Sequence, residues 1–339
     1  MGILRSVLIP DTTKGNGVVV MLLLVTNRRD ITMDYVVAEL RRREMPYFRL
    51  NTELLPQALC SMASHPRSAW TISFAGRQIC GDDITGAYFR RPGAPVIPDS
   101  VQNAGERAYV AAEWSSFLKS LYNRLEGLWL NSPNAIFAAE DKPLQLMLAQ
   151  ELGFNVPAVM VTNDISSVRI VTDVSQAVCK PLRQAVLTGD TERVIFTSRI
   201  GNLEEGNSES IALAPFIVQK EILKKYDVRV TVVGQQIFAT AIWSQEHTET
   251  EVDWRQGSRP DLRHEKIILP PGVQQQCLAL VAKLGLRYGA IDFVCDREGV
   301  LWFLEINPNG QWAWIENLTG YPIASAIVDE LTSCTAHDM

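Results

Sequence analysis

Short apolar runs alternate along the first part of the chain with segments whose apolar residues recur at helical spacing. An apolar run covers residues 18–25, helical spacing follows over 31–43, and a second strand-like run covers 46–50. This strand–helix–strand order predicts an α/β module with a parallel sheet. Three further elements are expected here: a hairpin over 70–79, a strand at 87–91 and an amphipathic helix over 106–124.

The rest of the chain repeats the mixture of helices and strands. A helix that carries Asp141 and Lys142 and extends over 144–152 is expected to end at Gly153, because glycine favours the helix C-terminus. The acidic, small-residue stretch 201–210 predicts a surface loop. The other expected elements are strands at 156–161, 177–182, 228–233, 236–243, 290–295 and 301–306, a helix at 273–284 and a closing helix around 323–331.

These patterns predict the fold class α/β, in part α+β, with several modules. A flexible tail is expected over residues 1–20 and a second tail over 333–339. Between them we predict an N-terminal α/β domain (21–128), a central domain (129–216) and a C-terminal domain (217–332). A chain of 339 residues is long enough to build two or three such packed cores.

Composition and charge exclude several classes of function. Hydrophobic residues make up 47% of the chain and charged residues 21%, which is typical of a soluble globular protein. The net charge of −6 argues against a general nucleic-acid binder, and the apolar run near the start is far shorter than the roughly 20 residues that span a bilayer. Six cysteines without a CxxC pair and four histidines without an HExxH pattern predict a reduced, cytoplasmic protein without a zinc site.

The strongest chemical signal lies near the C-terminus. Asp292 and Glu305 are each the only acid within an apolar run, and the two runs are joined by a turn at 296–299. Strand alternation can put both carboxylates, with Asn307, on one face. Buried carboxylates are costly unless they are paired or bound to a metal, and this oxygen cluster suits Mg²⁺. The alternative is a hairpin that carries its acids on a solvent-facing side.

Basic residues in apolar surroundings form a second signal. Lys142, Lys180 and Lys220 each lie beside apolar strand or helix residues, although each alone is more often a surface residue. Residues 219–222 resemble a linker whose backbone can receive an adenine edge. Asp227 and Arg229 share one face of a predicted strand, where an arginine can bridge phosphate oxygens.

Taken in order, these residues resemble the ATP-grasp superfamily. The string from Glu305 to Trp314, EINPNGQWAW, more narrowly resembles the graspetide type of ribosomal-peptide maturase, which includes the microviridin macrocyclases. The stretches LVTNRRD (24–30), FRLNTE (48–53) and YFRRP (88–92) resemble the same family. The resemblance covers about residues 21 to 330 and implies three regions, with ATP bound between the last two.

The resemblance also implies roles for individual residues. Lys142 and Lys180 would contact phosphates, and Gln219, Lys220, Glu221 and Ile222 would hold adenine. Asp292, Glu305 and Asn307 would bind Mg²⁺, and Arg229, beside Asp227, would stabilise an acyl phosphate. The implied reaction uses ATP to phosphorylate an Asp or Glu side chain of a precursor peptide, which then forms an ester with Ser or Thr or an amide with Lys.

The implied partner is therefore a peptide with a leader and an acidic core, and family members are often homodimers. Arg90 and Arg91 are candidate contacts for the acidic core, with a surface pair at a strand end as the alternative. Glu192 fits a leader-binding hairpin, but Arg193 stands where a second acid is expected, and Asp190 could compensate. Trp312 and Trp314 could wall the acceptor pocket or simply complete a core.

Three other functions are alternatives to this one. The first is an ATP-grasp ligase that acts on a small substrate or adds amino acids to a protein. The second is a non-catalytic ATP- or peptide-binding pseudoenzyme, which predicts the loss of a metal ligand or phosphate lysine, and none is lost. The third, a dinucleotide-binding dehydrogenase, is excluded because no GxGxxG follows the first strand.

Overall fold

The computed structural model describes residues 21–183, 186–187, 193–204, 206–256 and 261–333. Contacts divide these residues into two units, one formed by the residues up to Ser132 together with those from Ala324 onwards, and one formed by Pro133–Ile323. The division of the second unit into a central and a C-terminal domain stays a prediction. In the described part of the chain, no helix combines the length and the apolar character needed to cross a membrane.

The first unit is built around a parallel sheet. Strand β1 (Met21–Thr26) is flanked by β2 (Tyr47–Asn51) and β6 (Ile84–Phe89), and both pairings are parallel, as predicted. Helix α1 (Ile31–Arg42) makes the crossover and begins at Asp30, whose carboxylate accepts the backbone N–H groups of Thr32 and Met33. The other elements of this region are β3 (Leu59–Met62), β4 (Trp70–Phe74), β5 (Arg77–Cys80) and α2 (Ala104–Arg124).

The second unit opens with two short helices and a four-stranded sheet. The sheet has the order β11-β8-β12-β7, and its described pairings are antiparallel. Strands β9 and β10 pair with each other in a separate two-stranded sheet, and they lie between β8 and β11 in the chain. The elements are α3 (Pro133–Ala139), α4 (Lys142–Glu151), β7 (Val159–Thr162), α5 (Ile165–Thr172), β8 (Ala177–Lys180), β9 (Val186–Leu187), β10 (Arg193–Val194), β11 (Ser198–Arg199), α6 (Asn207–Ala212) and β12 (Phe216–Lys220).

A five-stranded antiparallel sheet follows and carries most of the candidate site. Its order is β15-β14-β13-β16-β17. One face is apolar and packs into a core with helices on that side, through residues such as Val230, Ile291 and Phe303. The elements are β13 (Lys224–Val233), β14 (Gln236–Ile242), β15 (His264–Ile267), α7 (Pro271–Lys283), β16 (Tyr288–Asp296), β17 (Leu301–Asn307), α8 (Ala313–Thr319) and α9 (Ile323–Ser333).

The structure differs from the sequence patterns in several places. The predicted loop 201–210 contains the start of α6, a helix of six residues with no buried side chain, so no apolar period marked it. The helix expected around Asp141 is divided in two, because Asp141 caps α4 and accepts the backbone N–H of Leu144. Strands β3 and β15 and helix α8 were not predicted, since elements of four to seven residues carry little periodicity.

Candidate active site

A cavity of about 600 Å³ lies within the second unit. Its walls come from segments that are far apart in sequence, from Glu140 to Pro308. It brings together most of the residues that the sequence predicted for the site: Lys142, Lys180, Gln219, Lys220, Glu221, Ile222, Asp227, Asp292, Glu305 and Asn307.

The acidic pair lies across two neighbouring strands. Asp292 on β16 is directly opposite Glu305 on β17, and Ala290 is opposite Asn307, two residues further along each strand. Since alternate residues of a strand share a face, Asp292, Glu305 and Asn307 lie on the same side of the sheet. The placement predicted from strand alternation is confirmed.

Asp292 is a buried carboxylate with incomplete charge compensation. It is 6% exposed, and its Oδ1 lies 3.3 Å from Nε of Arg229, its cross-strand partner on β13. Burial raises the pKa of Asp292 to about 6, although Arg229 and Arg255 act in the opposite direction. An added cation at this carboxylate would therefore be stabilising.

Glu305 is held between two cations. Its Oε2 lies 3.1 Å from Nζ of Lys142, and its Oε1 lies 3.4 Å from Nη1 of Arg255. Burial acts to raise the pKa of Glu305, but the charges of Lys142, Arg255 and Lys180 outweigh it and lower the pKa to about 2. Glu305 is thus ionised at neutral pH, with positive charge gathered around it.

The second lysine lies on the neighbouring sheet. Lys180 ends β8 and donates from Nζ to Oε1 of Gln219 at 2.6 Å, across the β8–β12 pairing. Burial lowers its pKa to about 8. Lys142 reaches the same region, since its Nζ donates to the Pro181 carbonyl at 3.3 Å. Both ammonium groups therefore face the cavity from different elements.

The segment 219–222 forms the end of β12 and the residues after it. Gln219 is buried, and the backbone N–H of Glu221 donates to the carbonyl of Gln176. The Glu221 carboxylate pairs with Arg199 on β11 at 2.8 Å. The segment lines the cavity, as a nucleotide-binding linker should, but its contact with adenine stays a prediction.

Asp227 has a set of close partners of its own. Its carboxylate accepts from Nζ of Lys224 at 2.7 and 2.9 Å and from the hydroxyl of Ser244. Burial raises its pKa, while Lys224 acts to lower it. This arrangement fixes the start of β13, and therefore positions Arg229 two residues later.

The segment 253–255 was not predicted as part of the site. Asp253 is buried and pairs with Nε of Arg255 at 2.9 Å, while the Trp254 ring lies against Arg229, with Cζ 5.7 Å from the ring centroid. All three residues line the cavity. In the sequence they follow the acidic stretch at 246–251 and read as a solvated loop. The sequence signal that could have marked these residues as part of the site is the DWR triplet, in which an acid and an arginine flank an aromatic residue.

Four of the predicted substrate contacts lie elsewhere or are not described. Arg90 has no exposed surface and lies 3.4 Å from Asp30 in the first unit, whereas Arg91 is exposed. Trp312 is fully buried and is not part of the cavity wall, as expected if it completes a core. Glu192 lies outside the described residues. Substrate contact by these residues stays a prediction.

Solved structures match the chain over most of its length, whereas no family model and no curated protein matches it. A RiPP-associated ATP-grasp ligase from Chryseobacterium gregarium, in complex with ADP and a leader and core peptide, is 25% identical with a TM-score of 0.84, covering 93% of this chain and 97% of that chain. Macrocyclase MdnC from Microcystis aeruginosa MRC, bound with precursor peptide MdnA, is 26% identical with a TM-score of 0.80, covering 92% and 99%. Macrocyclase MdnB from the same source is 27% identical with a TM-score of 0.75.

The similarity therefore extends over both units and agrees with the ordered motifs in the sequence. The chain therefore has the ATP-grasp fold, and it is similar in structure to a RiPP-associated ATP-grasp ligase and to macrocyclases that act on precursor peptides.

Proposed function

We propose that this protein uses ATP to activate Asp or Glu side chains of a ribosomal precursor peptide and condenses them with Ser or Thr hydroxyls or Lys amines. One observation carries the proposal. A single cavity holds two lysines, Lys142 and Lys180, beside the Asp292–Glu305 pair, with Arg229 adjacent to Asp292. Cations that neutralise phosphates, placed beside a cluster of oxygen ligands, are what phosphoryl transfer needs.

The nucleotide would lie between the two sheets of the second unit. Residues 219–222 line the cavity and would hold the adenine, while Lys142 and Lys180 would contact the phosphates. The ADP complex of the Chryseobacterium gregarium relative supports this assignment. Lys142 now pairs with Glu305, so nucleotide binding would give it phosphate oxygens as additional partners.

The acidic face of β16 and β17 has the donors that Mg²⁺ prefers. Asp292, Glu305 and Asn307 supply two carboxylates and an amide oxygen from one face of the sheet. The raised pKa of Asp292 supports the fit, because a buried carboxylate that lacks full compensation gains from a cation. When bound, the ion would supply charge neutralisation at the phosphates.

The proposed reaction has two steps. A substrate carboxylate oxygen attacks the γ-phosphorus, the bond from that phosphorus to the bridging oxygen breaks, and ADP leaves. A hydroxyl or amine then attacks the acyl carbon, loses its proton, and displaces inorganic phosphate to give an ester or an amide. Arg229 would hold the acyl phosphate, since its guanidinium is almost completely buried beside Asp292 and can bind two oxygens at once.

Intact mass tests the proposal directly. A precursor peptide encoded beside this protein is incubated with enzyme, ATP and Mg²⁺, and ADP is measured in parallel. We expect a loss of about 18 Da, one water, for each bond, with one ADP released per bond. The Asp292→Asn variant should lose this activity and keep its fold, whereas Asp34→Asn, which alters an exposed acid of α1, should behave as the wild type.

Other outcomes would identify other functions. A mass gain equal to an amino acid would favour a conjugating ligase, and ADP release without a mass change would favour a small substrate. Neither ADP nor a mass change would favour the pseudoenzyme. Ligation by the Asp292→Asn variant with an unchanged Mg²⁺ requirement would contradict the role of Asp292.

A further inference from the structure

Four buried polar atoms on β13 and β14, on the site-facing side of the five-stranded sheet, lack a hydrogen-bond partner among the described residues, as do both ring nitrogens of His264 on the neighbouring strand β15. The four atoms are Nε and Nη1 of Arg229 and the hydroxyl oxygens of Thr231 and Thr240. Arg229 is 6% exposed, and both threonines are 0% exposed. Unsatisfied polar groups are costly to bury and are uncommon, so four in one place require an explanation.

The strand register brings these atoms together. Arg229 on β13 is directly opposite Thr240 on β14, and Thr231 follows two residues after Arg229 on the same face. Directly opposite residues have Cβ atoms about 5 Å apart. On its other side Arg229 is opposite Asp292, which in turn is opposite Glu305. The donors therefore form one group that adjoins the acidic pair.

Two aromatic rings lie on the arginine side of this group. The Trp254 ring lies against the Arg229 guanidinium, and it packs on Trp314 with a centroid distance of 5.0 Å. Trp254 lines the cavity, whereas Arg229, Thr231 and Thr240 are buried and are not part of the cavity wall. Electrostatic interactions are stronger in such a dry place than in water.

We propose that Arg229, Thr231 and Thr240 form the subsite for the substrate carboxylate, with the two threonine hydroxyls as binding groups in addition to the arginine. This inference rests on the proposed function. All four atoms can donate a hydrogen bond, so the complementary ligand is an anion with several acceptor oxygens. An Asp or Glu carboxylate, and then its acyl phosphate, has these oxygens and lies next to the phosphate and metal side of the cavity.

Because Arg229, Thr231 and Thr240 are buried, only a narrow group such as an extended side chain could reach them. The threonine methyl groups and the rings of Trp254 and Trp314 would surround an aliphatic stem, while the donors bind its terminal carboxylate. The Trp254 side chain must move aside for the substrate to enter. Its return would exclude water from the acyl phosphate, which water would otherwise hydrolyse.

Single Thr231→Val and Thr240→Val variants test the subsite, because valine keeps the shape and removes the hydroxyl. We expect kcat/KM for peptide-dependent ADP release to fall about 10- to 100-fold in each, as for loss of one hydrogen bond to a charged group. The Kd for ADP with Mg²⁺ should stay within about twofold of the wild type. The thermal midpoint should rise, because an unsatisfied buried hydroxyl is removed.

Thr85→Val is the matched control. Thr85 is a strand residue of the first unit, and its hydroxyl donates to the Met21 carbonyl at 3.4 Å. This variant should keep wild-type kinetics and should show no rise in thermal midpoint, since its hydroxyl already has a partner.

Three results would overturn the subsite alone. Wild-type kinetics in both valine variants would exclude a role for the hydroxyls. A parallel loss of ADP affinity would assign them to a nucleotide phosphate. A lower thermal midpoint together with lower activity would indicate a structural role. A wild-type enzyme that modifies no acidic peptide would overturn the proposed function and the subsite together, whereas active wild type with unaffected variants counts against the subsite alone.

Discussion

The charge of Lys180 changes with pH just above neutrality. Burial lowers its pKa to about 8, so it is mostly charged at pH 7 and mostly neutral at pH 9. The charged form binds phosphate, and ADP with bound Mg²⁺ keeps the same charge from pH 7 to pH 9. We therefore expect the affinity for ADP with Mg²⁺ to fall about tenfold from pH 7 to pH 9. Isothermal titration across this range measures it.

Lys180→Arg is the control for that pH dependence, since arginine stays charged above pH 12. It should bind ADP with nearly constant affinity from pH 7 to pH 9. An equal fall in affinity for the arginine variant and the wild type would show that another group titrates, and that Lys180 does not contact the phosphates.

The sequence allowed some site residues to be predicted and not others, for a physical reason. Asp292 and Glu305 interrupt apolar strands, so their burial was readable from their neighbours and from the two-residue period. Arg255 and Asp253 lie in a polar stretch, where nothing local distinguishes a residue folded into a site from a solvated one. Arg255 contacts Glu305, which lies 50 residues further along the chain, and only the fold brings the two together.

Helix α4 and strand β17 are joined by one buried side chain. Gln145 donates from Nε2 to the carbonyls of Ala139 and Ile306, at 2.6 and 2.8 Å, and accepts the Ile306 N–H at 3.0 Å. Ile306 lies between Glu305 and Asn307, so Gln145 fixes the end of the strand that carries both.

Replacement of Gln145 by Leu should therefore weaken Mg²⁺ binding at Glu305 and Asn307 and also lower the stability of the fold. Three backbone groups lose their partner, and we expect the free energy of unfolding to fall by about 2 kcal/mol or more, measured by urea unfolding. The Mg²⁺ concentration needed for half-maximal activity should rise roughly tenfold, as for other changes behind metal ligands.

Gln274→Leu separates these two effects. Gln274 donates to the Leu269 carbonyl at 2.8 Å near the start of α7 and does not line the cavity. Its loss should lower stability without changing the Mg²⁺ requirement. An unchanged Mg²⁺ requirement in Gln145→Leu would mean that Gln145 supports the fold alone.

At the scale of elements, long periodic segments were predictable and short ones were not. The central strands β13, β14, β16 and β17 pair with one another over many residues, and their apolar face was readable from the sequence. Strand β15 at the sheet edge has four residues, none of which is fully buried. Tertiary pairing with β14, rather than its own pattern, makes it a strand.

For the whole molecule, the net charge did not predict which charged residues surround the cavity. The chain carries −6, yet Lys142, Lys180, Arg229 and Arg255 gather around one cavity. These cations lie among acids that line the same cavity, such as Glu221, Asp253 and Asp292, and they provide local partners for an anionic nucleotide and an acidic peptide. A homodimer, which the resemblance implies, stays a prediction.

The sequence also predicted only in part which residues belong to each unit. The first boundary was expected near residue 128, and contacts divide the chain after Ser132. Helix α9 was placed with the C-terminal region, but from Ala324 onwards it contacts the first unit, where Arg43 bonds to Ser325 and pairs with Asp329. A return of the chain to its first unit leaves no mark in local sequence patterns.

Transfer of oxygen from the peptide to phosphate is the measurement that tests the central claim most directly. A precursor peptide whose Asp and Glu carboxylates carry ¹⁸O is incubated with enzyme, Mg²⁺ and unlabelled ATP, and the released phosphate is analysed by mass. Activation as an acyl phosphate predicts one ¹⁸O in the phosphate for each bond formed, with the other ¹⁸O kept in the ester or amide. Phosphate without ¹⁸O, released while bonds form, would contradict carboxylate activation by ATP at this site.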